Sequence, residues 1–482
     1  SNRKTPWWCF GMTGVRRVAL IIVFSFIFLS FGLVYWQVVN ADTMLDHPAN
    51  RRAAFLQERI TRGTIFDRNG IILAQTKVVE DRKIREYPHG DMFQPLLGYA
   101  TLKYGSAGLE ATEAETLLGF NNKSLIHRLQ NLFELDRRGN DIVLTLDDEL
   151  QKTAYEGLKG KKGAVIALNP QNGDVLALVS QPSYDANSLE EDWSKIINSQ
   201  GSPLLNRAFS QFPPGSIMKI VTSAALFHAG LDTTDLYNCQ GSVIINGQTI
   251  TEQNHKVHGW VNYDLALAYS CNTYFAEHGL KAGVQSFIAS ASAFGFGKKI
   301  PFDLYVPTSS LKNGEPIPDT LDLNLFAAST FGQGQVMISP FHVALITAGV
   351  ANNGKIMVPK LIDRVLDSKQ NIIYESTPEV WLTPLSEVEA AKVKNGMILA
   401  VNQGTASPGA LSGVQIAAKT GSAEPGGNKN THAWYVAFAP AENPVIAVAV
   451  LVEHGGAGGE AAAPIAKAVI EEALKMKEGM QL

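Results

Sequence analysis

An uncharged apolar stretch near the N-terminus is the feature that most constrains this chain. Residues 18–39 contain no charged side chain, and a helix of that length can cross a hydrocarbon core about 30 Å thick. The segment before it has no acidic residue and four basic ones: Arg3, Lys4, Arg16 and Arg17. By the positive-inside rule, we predict a cytoplasmic tail at 1–17, a transmembrane helix at 18–39 and an extracytoplasmic remainder.

A cleaved signal peptide is the alternative interpretation of this stretch. Val39-Asn40-Ala41 resembles a small-x-small cleavage site, but the apolar core of a signal peptide usually runs only about 7–15 residues. Aromatic residues flank the stretch on both sides, as interfacial belts do: Trp7, Trp8, Tyr35 and Trp36. We therefore interpret it as a retained single-pass anchor.

Composition excludes several classes of protein. The 482 residues are 45% hydrophobic and 18% charged, which indicates a folded chain with more than one core. The net charge of -4 and the lack of a basic run interleaved with aromatics argue against a nucleic-acid partner. Cys9, Cys239 and Cys271 form no disulfide framework.

The rest of the chain divides into a small module and a large domain. Residues 40–145 are polar, carry turn signals and predict a separate module of mixed strand and helix. From 146 to 482, strands are predicted at both ends of the large domain, at 163–168, 174–179, 414–418, 433–439 and 445–452. Residues 205–400 are mostly helical in pattern. We predict an α+β fold in which an antiparallel sheet, flanked by helices, receives a helical subdomain as an insertion.

Ser216 and Lys219 begin an almost wholly apolar segment that follows Pro213-Pro214-Gly215. The pattern predicts a buried helix with Ser216 at its N-terminus and Lys219 one turn later on the same face. A lysine held in an apolar interior prefers to be neutral, so it can take the proton of an adjacent serine hydroxyl. Two other S-x-x-K matches, Ser1/Lys4 and Ser309/Lys312, do not open such a helix.

Two further motifs follow in the chain. Ser270-Cys271-Asn272 comes after a helical stretch at 262–269, where a polar turn can project a hydroxyl and an amide into a cleft. Lys419-Thr420-Gly421 closes the predicted strand 414–418, which we expect to lie at a sheet edge and to pair with an extended peptide. Gly421 would leave room for the substrate.

Together these three motifs resemble those of penicillin-binding proteins and serine β-lactamases. The segment 62–70, Arg-Gly-Thr-Ile-Phe-Asp-Arg-Asn-Gly, resembles the N-terminal module motif of class B penicillin-binding proteins, and four further segments also resemble that family: 108–110, 206–208, 331–334 and 432–434. The resemblance covers nearly the whole chain. It implies a membrane-anchored peptidoglycan D,D-transpeptidase that is a target of β-lactams and cross-links D-Ala-D-Ala stem peptides through a serine acyl-enzyme.

The resemblance also assigns roles. It implies Ser216 as nucleophile, Lys219 as its base and Ser270 as a proton relay to the leaving amine. Asn272 would hold the acyl-side backbone, and Lys419 and Thr420 the terminal carboxylate. Backbone N–H groups of Ser216 and Ser422 would bind the oxyanion. No cofactor is implied.

Other interpretations stay open. A β-lactamase would share the motifs but has no use for an anchor and a module. The chain could also be a scaffold that binds and activates a membrane-embedded glycan polymerase. The polymerase is our expected partner, and this role is compatible with catalysis. His255 and His258 have i, i+3 spacing, but no carboxylate or cysteine cluster is visible beside them, so we predict no metal site. Cys271 is expected to pack as a small apolar side chain.

Overall fold

The computed structural model describes residues 8–35, 60–80, 82–120, 138–426 and 430–479. It divides into two units, Ser1–Ile60 and Thr61–Leu482. The described part of the first unit is a helix, Trp8–Val34, whose window Arg16–Leu33 is long and apolar enough to cross a membrane. The prediction of one N-terminal helix of this kind is confirmed, whereas residues 36–39 of the predicted span lie outside the described residues.

A five-stranded antiparallel sheet forms the centre of the second unit. Its strands lie in the order Ala417–Ala423, His432–Ala439, Ile446–Val452, Gly163–Leu168 and Val175–Gln181. Three of them come from the C-terminal part of the chain and two from the start of the large domain, as predicted. The strand Ala417–Ala423 is an edge strand, so its outer side is open to another extended chain.

Both faces of this central sheet are buried. Successive side chains of a strand point to opposite faces, so each strand contributes to two cores. Val165 and Ala167 pack into a core with the helices Asp148–Leu158 and Ala463–Gly479. Ala164, Ile166 and Leu168 belong to the opposite core, which includes the helices Lys219–His228 and Pro340–Ala351. The near-continuous apolar sequence of these strands follows from this burial.

The insertion between the two halves of the sheet is mainly helical, as predicted. Its helices are Leu189–Ile197, Lys219–His228, Tyr263–Ala268, Asn272–Ala282, Val284–Ala293, Leu323–Ser329, Pro340–Ala351 and Glu387–Gln403. Three short strand pairs were not predicted: Tyr237–Cys239 with Gly259–Val261, Ser242–Ile245 with Gln248–Thr251, and Ile356–Met357 with Val380–Leu382. Strands of two to four residues are too short to show the alternation of apolar and polar residues that predicts a strand. The short helix Gly458–Ala461 precedes the C-terminal helix.

A second sheet of six strands lies in the N-terminal part of this unit. The order is Ile372–Glu375, Ile362–Leu366, Asp141–Leu144, Ile65–Phe66, Ile72–Val79 and Arg82–Glu86. A strand pair, Tyr99–Thr101 with Gly105–Ala107, and the helices Gln94–Leu97, Gly108–Thr112 and Ala114–Leu117 complete the mixture of strand and helix. Two of the six strands come from beyond residue 145. The boundary of the module at 145 stays a prediction.

Candidate active site

Ser216 lies in a 3₁₀ turn, Gly215–Met218, that runs into the buried helix Lys219–His228. The sequence prediction placed Ser216 at the helix start, and the structure begins the α-helix three residues later. Gly215 has φ 54° and donates its N–H to the Gly332 carbonyl at 3.0 Å. A Cβ at Gly332 would lie 1.9 Å from the Gly215 oxygen. The loop around Gly332 therefore fixes the turn Gly215–Met218 by close backbone contact.

Lys219 is fully buried and sits at the centre of the site. Its Nζ lies 2.9 Å from Ser216 Oγ, 2.7 Å from the Ser270 carbonyl oxygen and 2.7 Å from Asn272 Oδ1. The carbonyl and amide oxygens only accept hydrogen bonds. A neutral amine can donate its two protons to them and accept the Ser216 hydroxyl proton with its lone pair.

Burial of Lys219 favours that neutral state. Burial lowers the pKa of Lys219 to about 8, although the neighbouring Glu252 carboxylate and, to a lesser extent, Cys271 act in the opposite direction. Lys219 is therefore poised to act as a base near neutral pH, which an exposed lysine cannot do.

Ser270 connects the two lysines of the site. Its backbone is in the left-handed region, with φ 60°. Its Oγ lies 3.1 Å from Lys219 Nζ and 2.8 Å from Lys419 Nζ. Burial, followed by the nearby charge of Lys219, holds the pKa of Lys419 well below its usual value. A proton can thus pass between the lysines through one hydroxyl.

Lys419, Thr420 and Gly421 lie in the middle of the edge strand Ala417–Ala423. The prediction that they close a strand at 414–418 was wrong, because the strand begins at Ala417 and is held through Ala423 by pairing with His432–Ala439. A Cβ at Gly421 would lie 3.0–3.1 Å from the Trp434 side chain, Ile217 and the Pro214 oxygen. Glycine here lets the strand approach the turn Gly215–Met218.

The remaining predicted residues lie at the same place. Asn272 Nδ2 donates to the Thr251 carbonyl oxygen at 3.0 Å, leaving its second proton available. A Cβ at Gly215 would lie 2.7 Å from the Ser422 carbonyl oxygen, which places Ser422 directly beside the turn that carries Ser216. The structure therefore brings all eight predicted residues into one site: Ser216, Lys219, Ser270, Asn272, Lys419, Thr420, Gly421 and Ser422.

Comparison with known proteins agrees with this geometry. The model of the penicillin binding protein transpeptidase domain matches residues 163–471, and that of the penicillin binding protein A dimerisation domain matches residues 62–142. The chain belongs to the penicillin-binding protein transpeptidase family.

Its relatives are similar over most of their length. Peptidoglycan D,D-transpeptidase PbpA of Mycolicibacterium smegmatis is 35% identical, over 96% of this chain and 99% of that protein. Penicillin-binding protein A from M. tuberculosis, solved as a penicillin G acyl-enzyme complex, has a TM-score of 0.79 at 33% identity, covering 86% of this chain and 99% of that one. Pseudomonas aeruginosa PBP2 has a TM-score of 0.72 at 31% identity, covering 86% and 96%.

Thr405 is a further site residue of this penicillin-binding protein that sequence reasoning missed. It follows the helix Glu387–Gln403, and its Oγ1 lies 2.6 Å from Thr420 Oγ1. Its N–H donates to the Ala268 carbonyl oxygen at 3.2 Å. When Thr405 donates to Thr420, the Thr420 hydroxyl proton is free to point at a substrate carboxylate. No sequence signal marks Thr405, because the two threonines meet only in the fold.

Removing this hydroxyl should weaken binding of the acyl donor. For Thr405→Val we expect KM for a thioester acyl donor to rise about three- to tenfold with kcat nearly unchanged, since one hydrogen bond contributes about 0.5–1.5 kcal/mol. Steady-state kinetics measure both constants, with Thr112→Val, an exposed threonine of the helix Gly108–Thr112, as control. A fall in kcat at constant KM would contradict this positioning role.

Four side chains of types that can ligate a metal lie close together beside the Ser270–Asn272 turn: Cys239, Glu252, His258 and Cys271. The expectation that no carboxylate or cysteine lies beside the two histidines is wrong for His258, because the short strand pairs bring distant segments together. Cys271 is fully buried, as expected, but its thiol has polar neighbours: Sγ donates to Glu252 Oε1 at 3.3 Å and lies 3.4 Å from Thr273 Oγ1. His255 does not belong to this group.

Proposed function

We propose that this penicillin-binding protein cross-links peptidoglycan outside the cytoplasmic membrane, with Ser216 as its acyl-accepting nucleophile. The chain is a serine-type peptidoglycan D,D-transpeptidase. One observation carries the assignment of Ser216: its Oγ lies 2.9 Å from the Nζ of a fully buried lysine, Lys219, whose pKa is lowered to about 8.

In the first half of the proposed reaction, Ser216 Oγ attacks the carbonyl carbon of the penultimate D-alanine and its proton passes to Lys219. The C–N bond to the terminal D-alanine breaks, and the leaving amine receives a proton through Ser270, which bridges the two lysines. The product of this half is an acyl ester on Ser216 and free D-alanine.

Three further groups hold the substrate in this proposal. Lys419 and Thr420 bind its terminal carboxylate, for which a cation and a hydroxyl are suited. The backbone N–H groups of Ser216 and Ser422 face the oxyanion. Asn272 binds the acyl-side backbone, which lies antiparallel to the open edge of the strand Ala417–Ala423. In the second half, an amine of a neighbouring stem peptide attacks the ester and regenerates Ser216.

The N-terminal helix supports the proposed location. It is long enough for a single-pass anchor, and the basic residues that precede and begin its apolar window favour a cytoplasmic N-terminus: Arg3, Lys4, Arg16 and Arg17. The catalytic domain would then face the cell wall. Polymerisation of glycan strands is left to a membrane-embedded polymerase, our proposed partner.

The decisive experiment is intact-protein mass spectrometry after incubation with a labelled penicillin. We expect one stable adduct on the wild type, mapped to Ser216, and none on Ser216→Ala. A stable adduct means that deacylation is slow, and this separates a transpeptidase from a β-lactamase. A β-lactamase would hydrolyse the penicillin and release the product. An adduct that persists on Ser216→Ala would refute the assignment.

The second candidate function, activation of a glycan polymerase, is separable from catalysis. In a polymerase assay with the anchored full chain, a scaffold role predicts that Ser216→Ala still supports glycan synthesis. Loss of synthesis in that variant would count against scaffolding that is independent of catalysis.

A further inference from the structure

Glu424 directly follows the edge strand Ala417–Ala423, which carries the proposed substrate-binding residues. The last pair between this strand and its neighbour joins Ala423 to His432. Pro425 comes next, and a residue that precedes a proline is disfavoured from helical backbone and kept extended. Glu424 therefore continues the line of the strand by one residue.

Glu424 shares one face of this extended segment with Thr420 and Ser422. Successive side chains of a strand point to opposite faces, so residues two apart lie on the same face. Thr420 contacts Thr405 on that face. Exposure increases along it, because Thr420 is buried, Ser422 is half-buried and Glu424 is exposed. The face that carries the proposed carboxylate-binding hydroxyl thus opens to solvent at Glu424.

The proposed function fixes the direction in which a stem peptide lies along this edge. Its terminal carboxylate is bound at Lys419 and Thr420, and its scissile carbonyl faces the N–H group of Ser422. The acyl side of the peptide then continues past Ala423 towards Glu424. At about 3.3 Å per residue, Glu424 lies roughly 7 Å beyond Ser422. This is within reach of a long side chain on the residue that precedes the reacting D-alanine.

The second half of the proposed reaction indicates which group this carboxylate meets. The acceptor is a stem peptide that attacks the ester with an amine, and donor and acceptor are peptides of one kind. A donor therefore brings an amine of its own, which is an ammonium group at neutral pH. Glu424 forms no ion pair with a lysine or arginine of the described residues, so its carboxylate is available to this group.

We propose that Glu424 determines donor specificity by pairing with an ammonium group on the acyl side of the reacting D-alanine. This inference rests on the proposed function and adds a substrate feature to it. Glu424 lies away from the reacting atoms, so the pair forms equally in the bound substrate and in the transition state. Its loss should therefore raise KM and leave kcat nearly unchanged.

The test compares two thioester donors with the full chain in detergent. One is Nα-acetyl-L-lysyl-D-alanyl-thioglycolate, and the other is its Nε-acetyl derivative. Both keep the scissile carbonyl and the terminal carboxylate, and they differ by one positive charge. For the wild type we expect kcat/KM to be about two- to fivefold higher with the free amine, the range of an exposed ion pair. Glu424→Gln should remove this preference, and Glu424→Lys should reverse it.

Glu442→Gln is the matched control. Glu442 is also exposed, but it lies in the turn between the strands His432–Ala439 and Ile446–Val452, at the opposite end of the same sheet. This variant should keep the wild-type ratio of the two donors. Salt supplies a second measurement that needs no variant. About 1 M NaCl shortens the Debye length to roughly 3 Å, so it should reduce the wild-type preference and leave the Glu424→Gln ratio unchanged.

The outcomes separate this inference from the proposed function. The recognition by Glu424 would be overturned if the wild type showed no preference, or if Glu424→Gln kept the wild-type ratio while Ser216 still reacted with both donors. An equal fall in the rates with both donors would likewise show a structural role. Absence of thioglycolate release from both donors, or release that persists in Ser216→Ala, would refute the proposed function and the recognition with it.

Discussion

Replacing Lys219 with methionine is expected to slow acylation by penicillin by about 10²–10⁴-fold, the usual contribution of a positioned general base. Methionine nearly preserves the side-chain volume within the buried helix Lys219–His228, so the fold should persist. What is lost is the amine that contacts Ser216 Oγ, the Ser270 carbonyl and Asn272 Oδ1. Stopped-flow measurement of the second-order acylation rate constant tests the prediction.

The pH dependence separates a base from a structural lysine. Burial lowers the pKa of Lys219 to about 8 against the opposing effect of Glu252 and Cys271, and only the neutral amine accepts a proton. The wild-type rate constant should therefore rise with pH through about 8 and then level off, with Lys419 as the other titratable group facing Ser270. Lys219→Met should lose this rise.

The chain supplies a matched control in a second S-x-x-K sequence, Ser309 to Lys312. Lys312 is partly exposed and pairs with Glu315 at 2.9 Å, away from any buried helix start. We expect Lys312→Met to acylate at the wild-type rate with the wild-type pH profile. If Lys219→Met kept the wild-type profile, another group would have to be the base.

The sequence was sufficient to predict that these residues lie together, because each motif is continuous in the chain and adjoins a helix or strand that the apolar pattern predicts. A long apolar helix identifies Ser216 among three S-x-x-K matches, and strongly apolar strands predict the central sheet. The edge position of Lys419-Thr420-Gly421 was likewise inferred correctly. The boundary of this strand was displaced, because pairing with His432–Ala439 extends the strand through small residues of low strand propensity.

Features that depend on contacts between distant segments could not be predicted from the sequence. Thr405 lies after the helix Glu387–Gln403 and Thr420 lies in the strand Ala417–Ala423, and their hydroxyl groups come together only in the fold. Cys239 and His258 face each other only because two three-residue strands pair in antiparallel register. Such short strands have weak local signals, so tertiary contacts decide them.

The segment 62–70 was recognised only by its resemblance to a family motif. The structure explains the physical basis of that motif. Asp67 Oδ1 accepts the N–H groups of Asn69 and Ile71 at 2.8 and 2.7 Å and closes the turn. Arg62 reaches a buried carboxylate, Glu110, at 2.5 Å. These residues stabilise the fold and have no contact with the Ser216 site in the interactions described above.

Glu110→Gln is expected to lower the free energy of unfolding by about 3–5 kcal/mol, since breaking a buried ion pair leaves uncompensated charge. Glu110 is fully buried and accepts from Arg62 Nε and from Arg85 Nε, the latter at 2.7 Å. Glutamine retains the shape but leaves two buried guanidinium groups around a neutral amide. Denaturant unfolding of the full chain in detergent, followed by circular dichroism, measures the loss.

The pH dependence of this loss distinguishes charge from shape. Burial alone would raise the pKa of Glu110, but Arg85 and Arg62 outweigh it and hold the pKa below its usual value of 4.5. Its ionic stabilisation is therefore complete above about pH 4.5 and disappears as pH falls through the lowered folded-state pKa. The difference between wild type and Glu110→Gln should shrink over that acidic window.

Glu156→Gln is the control. It breaks the exposed pair with Lys159 and should lower the free energy of unfolding by less than about 1 kcal/mol at any pH. Equal losses in the two variants would show that the buried charge is not what stabilises this region.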